Sequence, residues 1–231
     1  MGDKDVGSMT LKEKNGLYLA YNTVLEMAEA RKFDVNERLS REEFMDKVLD
    51  ESTNMHMVNT YKSNDKTKNE KFMIVFIVKT KRTDSRKSKL TSIIPDGEKY
   101  NGQIVFILKD KPQKTGTLKT TLKAEQEKYN TSGGNITRID VFSYMSMLFN
   151  ITKHILQPKF DMVTNEELSH IVESYTKKND NSTIKEFKTR LPKLMVNDPI
   201  AEYYGMNIGD VVKVTRYDPQ YNIAVTYRVV V

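Results

Sequence analysis

The sequence predicts an α+β chain in two parts: an N-terminal α/β domain over residues 1–149, a sheet with flanking helices, and a small C-terminal α+β domain over 150–231. Capping-box signals of the Ser/Thr-x-x-Glu type precede apolar residues at helical spacing in both parts. Two runs of consecutive β-branched and aromatic residues read as strands covered on both faces. The α/β pattern ends near Phe149, and 231 residues suffice for one large domain or two small ones.

Thr10-Leu-Lys-Glu13 opens the first helix, about 11–31, with Leu17, Tyr21, Val24 and Ala28 along one face. Ser40-Arg-Glu-Glu43 opens a second, carrying Phe44, Val48 and Leu49 to about residue 50. Met73–Val78 and Gln103–Leu108 are the buried strands. The polar stretch Lys79–Lys89 and the turn Pro95-Asp96-Gly97 lie between them. After the loop Lys109–Gly116, Leu118, Leu122 and Gln126 place a helix over about 117–129. Thr131-Ser-Gly-Gly-Asn135 breaks the chain before a strand over 136–142.

In the second part, Asn150–Pro158 reads as extended and closed by proline, and Thr164-Asn-Glu-Glu167 caps a helix with Leu168, Ile171, Val172 and Tyr175. Residues 176–190 are polar enough for an exposed insertion. Asp198 as a cap, Pro199 at the first helical position and Gly205 as a left-handed stop define a very short helix, 199–204. Asp210–Arg216 and Asn222–Val230 read as an antiparallel pair joined by a turn containing Pro219.

No apolar stretch approaches the roughly 20 residues of a membrane span, and the N-terminus has no hydrophobic signal core. The expectation is a soluble, unexported chain with no membrane partner. With no cysteine, disulfides, thiolate catalysis and cysteine-ligated metals are excluded. His56, His154 and His170 are too far apart for a local metal-binding spacing, so neither a metal site nor a bound cofactor is expected.

The chain has 37 basic and 31 acidic side chains, and the excess is concentrated. Ten Lys or Arg stand against three acids between Lys62 and Lys89, a field that attracts polyanions or simply a solvated loop. Catalytic motifs are missing: there is no Walker loop, nucleophile elbow or dinucleotide fingerprint. Pro95-Asp96 suggests a metal-dependent nuclease, but no acidic-x-Lys triplet follows within thirty residues, so the segment reads as a turn. Asp198 and Asp210 are better explained as a helix cap and a pre-strand turn than as a carboxylate site.

Leu191-Pro-Lys-Leu194, Asp198–Arg216 and Tyr227-Arg-Val-Val230 closely resemble the C-terminal signature of the fifth subunit shared by eukaryotic RNA polymerases I, II and III, a module similar to its short archaeal polymerase counterpart. Phe149–Lys159 resembles the start of that module. Leu17–Phe33 and Ser40–Phe44 resemble the helices of the additional N-terminal jaw of the eukaryotic version. Departures are Tyr217–Asn222, where the family has a Ser/Gly turn, a longer 176–190 segment, and Lys111–Gly116 in place of a Thr-Pro-Ser-Ala loop.

The resemblance implies a non-catalytic structural subunit of a DNA-dependent RNA polymerase, docked on the largest subunit near the omega-like small subunit, with its jaw beside downstream duplex DNA. The docking candidates it implies are Leu191, Pro192, Asp198, Pro199, Tyr204, Gly205, Gly209, Val211, Val212, Lys213, Arg216, Tyr227 and Arg228. Charge and position together make Lys81, Arg82, Arg86, Lys87, Lys111, Lys114 and Lys119 the candidates for phosphate contact. The apolar end, Val225–Val231, is either covered by a partner or an internal strand of the module's own sheet. The alternatives are a free-standing, sequence-independent DNA-binding protein and a diverged nuclease. Abundant Lys and Asn suit an AT-rich genome, that of a large DNA virus or a protist. The expected location is the nucleus for a cellular enzyme, and host cytoplasm or virion for a viral one.

Overall fold

The computed structural model describes residues 10–48, 55–65, 69–77, 100–109, 115–175, 183–218, 220 and 222–231, with backbone alone at 55–58, 115–119 and 218. The chain divides into two compact units, Met1–Phe149 and Asn150–Val231, and the α+β class holds.

In the N-terminal unit, α1 (Leu11–Ala30) starts at the expected capping box: Glu13 N–H donates to Thr10 Oγ1, and Thr10 N–H to Glu13 Oε2. These bonds hold the Glu13 carboxyl below its usual pKa. Ser40 and Glu43 repeat the exchange ahead of α2 (Arg41–Val48). The sheet order is β1 (Phe33–Asp34), β2 (Met55–Ser63), β3 (Lys71–Ile77), β4 (Asn101–Leu108), β5 (Asn135–Ser143). β1, β2 and β3 pair antiparallel, whereas β3, β4 and β5 pair parallel.

Both faces of the central strands are covered, which is why their apolar runs are continuous. Phe72, Ile74 and Phe76 face the side of α1 and α2, where Phe44 stacks on Tyr21 at 4.9 Å and meets Phe76 edge-on at 5.2 Å. Met73, Val75, Ile104 and Phe106 face the other way, into a cluster with Leu122 of α3 (Thr115–Thr131) and Ile136 of β5. Gln126 of α3 lies one turn after Leu122 and donates to the Ile136 carbonyl at 2.7 Å, tying helix to strand.

The C-terminal unit begins with a correction. Residues Ile151–Lys153 form a single 3-10 turn, not an extended run, because Asn150 Oδ1 accepts from Thr152 N–H and caps it. A four-stranded sheet follows in the order β6 (Lys159–Met162), β8 (Val211–Asp218), β9 (Asn222–Val230), β7 (Lys193–Leu194). β8 pairs antiparallel with both β6 and β9, and β7 runs parallel to β9. One face packs on α6 (Pro199–Tyr204), the other on α4 (Asn165–Tyr175) and α5 (Ile184–Arg190).

Helix α5 corrects the reading of 176–190 as wholly exposed. Thr183 and Glu186 form a fourth capping box, and Phe187 is buried against Leu168 and Val172 of α4. Residues 176–182 lie outside the described residues, as do the Pro95-Asp96-Gly97 turn and Pro219.

Candidate functional site

The candidate partner surface is built on the β8–β9 hairpin. In an antiparallel pair, directly opposed residues share a face. Val211, Lys213, Thr215 and Tyr217 therefore share one face with Val229, Tyr227, Val225 and Ile223. Val212, Val214 and Arg216 share the other with Arg228, Thr226 and Ala224.

Helices cover only one end of each face. Val211 and Tyr227 pack with Leu168, Phe187 and Leu191 beneath α4 and α5, and Val212 and Val214 pack with Leu194, Ala201 and Tyr204 beneath α6. Farther along the hairpin nothing among the described residues covers Tyr217, 80% exposed, or Ile223, 63% exposed; Val225 is also exposed. At the same end, the turn before β6 presents Ile155 and Leu156 to solvent, 93% and 83% exposed. Its shape is held by Leu156 N–H donating to His154 Nδ1 and Gln157 N–H to the His154 carbonyl. Lys159, three residues beyond Leu156, pairs with Thr215, which sets turn and hairpin tip at one end of the sheet.

Most of the thirteen docking candidates hold this frame together. Asp198 Oδ1 accepts from Ile200 N–H at 2.8 Å, Pro199 fills the first helical position, and Gly205 closes α6 at φ +66°. Replacing Asp198 by Ala is expected to cost about 1 kcal/mol, the usual loss for a helix cap, read as a lowered melting temperature. The Pro192 carbonyl accepts from Val229 N–H, and Gly209 N–H donates to the Val230 carbonyl, fastening the buried C-terminal end of β9. The Gly209 carbonyl in turn accepts from Lys188 Nζ of α5 at 2.7 Å.

Leu191 is half-buried, and Val211 and Val212 are buried. Tyr204 meets Tyr203 edge-on at 5.4 Å; burial, with the nearby Asp161 charge, pushes its hydroxyl pKa up. Lys213, Arg216, Tyr227 and Arg228 keep surface. Arg216 is exposed, and Arg228 Nη1 donates to the Lys193 carbonyl at 3.3 Å.

The C-terminal valines divide between the two readings offered for them. Val229 and Val230 are buried inside the sheet, while Val225 is exposed. Ile155, Leu156 and Tyr217 went unnoticed as surface candidates; their only signal is apolar or aromatic character within loop-like sequence. Of the phosphate candidates, Lys81, Arg82, Arg86, Lys87, Lys111 and Lys114 lie outside the described residues. Lys119 lies in α3, its side chain not described.

Comparison with known proteins adds independent observations. Residues 149–230 match the family described as RNA polymerase Rpb5, C-terminal domain. The chain is 36% identical over 81 residues to the DNA-directed RNA polymerase subunit Rpo5 of Methanocaldococcus jannaschii, spanning 92% of that protein and 35% of this one. It is 28% identical over 211 residues to a protein of Invertebrate iridescent virus 6 named as DNA-directed RNA polymerase subunit 454R, covering 91% of this chain and 97% of the viral one. It is 33% identical over 93 residues to subunit 5B of RNA polymerases IV and V of Arabidopsis thaliana; that alignment spans 40% of this chain and 38% of the plant protein.

Proposed function

Since this chain belongs to the subunit 5 family of DNA-directed RNA polymerases, whose members are accessory rather than catalytic subunits, we propose that it is a structural subunit of a DNA-dependent RNA polymerase. Its C-terminal unit docks on the largest subunit near the omega-like small subunit, and its N-terminal unit forms part of the lower jaw beside downstream duplex DNA. No bound cofactor is part of this role. The polymerase's own setting decides where it acts: the nucleus of a cellular host, or the cytoplasm or virion of a large DNA virus.

The observation that carries the docking half is the uncovered apolar end of the C-terminal sheet, Tyr217, Ile223 and Val225 with Ile155 and Leu156. Contiguous exposed apolar side chains, unlike scattered ones, mark interaction surfaces. Native purification of the tagged full chain with mass spectrometry should return the two largest polymerase subunits; a chain recovered only as a monomer refutes the reading. The double variant Tyr217→Glu/Ile223→Glu is expected to melt like the parent, since both side chains already face water. Its retention by the polymerase should fall by about 30-fold or more, the equivalent of one interface hot spot.

The jaw half is supported by the concentration of positive charge between Lys62 and Lys89 and by Lys111, Lys114 and Lys119. Contacts of this kind would be independent of base sequence, each neutralised phosphate adding about 0.9 to the log–log salt slope. Replacing Lys111, Lys114 and Lys119 together by Ala should weaken the polymerase's hold on downstream duplex and flatten that slope. An unchanged slope would remove those three from the DNA path.

A further inference from the structure

The sheet of the C-terminal unit has one guarded edge and one open edge. β6 forms the guarded edge: it is four residues long, Pro158 precedes it, and Lys159 pairs with Asp161 on it at 3.0 Å. Short length, proline and charge are the devices that keep edge strands from pairing with foreign ones. The N-terminal sheet is guarded similarly, by a two-residue β1 and by the ion-paired Arg138 and Asp140 on β5. β7 lies on the other edge of the C-terminal sheet, but it covers only Val229 and Val230 of β9. From Asn222 to Tyr227, β9 has no charge, no proline and an unbroken register with β8.

The ladder parity identifies the backbone groups left over. Val229 N–H donates outward to the Pro192 carbonyl and Val231 N–H to the Leu194 carbonyl, whereas Val230 N–H turns inward to the Asp210 carbonyl. That alternation repeats every second residue of an antiparallel strand. The N–H and C=O of Ile223, Val225 and Tyr227 therefore point off the open edge, and no strand among the described residues receives them. The two faces flanking this edge differ in chemistry. One presents Tyr217, Ile223 and Val225; the other presents Arg216 and Arg228, neither of which makes an ion pair among the described residues.

We infer that the open edge of β9 receives an extended segment of a neighbouring polymerase subunit as a fifth strand, its acidic side chains toward Arg216 and Arg228 and its apolar ones toward Tyr217, Ile223 and Val225. Main-chain hydrogen bonds supply the affinity in such strand addition, and the alternating side chains supply the selectivity. A second copy of this chain is a poorer occupant. Two β9 edges related by a two-fold axis normal to the sheet would set both basic faces on the same side, where they repel. This inference rests on the polymerase-subunit reading.

The test compares amide hydrogen exchange at Ile223 and Val225 in the free full chain and in the assembled polymerase. The free chain should exchange quickly at both, and assembly should slow them at least tenfold. Val225→Pro removes an outward N–H and leaves the β8 ladder intact, as proline on an edge strand can; it should keep the parent's melting temperature and lose retention at least tenfold. Thr226→Pro, whose N–H faces β8, serves as the fold-damaging control. Arg216→Glu should weaken retention most at low salt. A chain that assembles while both amides exchange as freely as before overturns the inference and leaves the subunit reading standing. A chain that never assembles overturns both. Protection that grows with concentration of the free chain alone assigns the edge to self-pairing and also overturns the inference. Should Val225→Pro melt early, the exchange measurement on the parent chain decides alone.

Discussion

Replacing Asp140 by Ala is expected to destabilise the N-terminal unit by about 3–5 kcal/mol, the cost of breaking a buried ion pair by removing one of its members. Arg31 ends α1 with its side chain only 2% exposed, and its Nη1 lies 2.9 Å from Asp140 Oδ2 on β5. The same nitrogen donates to Gln103 Oε1 on β4 at 2.9 Å, and the guanidinium sits 5.8 Å from the Phe72 ring centroid on β3. One side chain thus ties a helix end to three strands.

The two partners are not equivalent. Asp140 also accepts from Arg138 Nε at 2.7 Å, so Arg31→Ala leaves the carboxylate a counter-ion. Asp140→Ala instead deprives a guanidinium that is almost wholly out of water. Arg138, 17% exposed, can turn to solvent in that variant. The prediction is a larger loss for Asp140→Ala than for Arg31→Ala, and a double variant less unstable than the two single losses added together. Urea titration with hydrogen exchange resolving the two units checks it. Equal losses from both single variants would show that Arg138 contributes nothing to the balance.

Elements whose cause is local were legible in the sequence, and those whose cause is distant were not. The capping boxes at Thr10, Ser40 and Thr164 require only residues three apart, and Asp198, Pro199 and Gly205 delimit α6 by themselves. The runs in β3 and β4 were readable because burial on both faces removes the need for polar alternation. β2 escaped notice: Met55–Ser63 mixes Asn, Thr, Lys and Ser into an antiparallel strand, and pairing with β3 is what makes it one. α5 was hidden by its polar composition, its hold on the core resting on the single buried Phe187.

The proposed docking surface shows the same division. The signature Asp198–Arg216 was readable because it encodes caps, turns and buried valines, whose work is to hold the sheet. What that sheet leaves bare at Ile155, Leu156, Tyr217 and Ile223 depends on where α4, α5 and α6 stop covering it, and no local pattern records that.

Gly102→Ala is expected to be comparably severe, about 3–5 kcal/mol, because strain and overpacking coincide and each alone costs about 1–3 kcal/mol. Gly102 stands at φ +139°, where a side chain is strained, and a Cβ there would lie 1.9 Å from the Lys71 carbonyl oxygen and 2.5 Å from its nitrogen. Relief by a small shift is blocked from three sides. Lys71 is the register partner of Gly102 in the parallel pair β3–β4, and the β4–β5 register slips immediately after Gly102. Tyr100, buried, donates its hydroxyl to the carbonyls of Lys71 and Gln103, bridging over the glycine at 3.1 and 2.7 Å. Gly209→Ala separates the two causes: φ is +93° there, but nothing lies within 4 Å of the added carbon, so strain alone, about 1–2 kcal/mol, should remain. Since the C-terminal unit holds its own two apolar clusters, Gly102→Ala should loosen the N-terminal unit while the full chain is still retained by the polymerase. Loss of retention in that variant would mean that the N-terminal unit carries part of the docking now assigned wholly to the β8–β9 end.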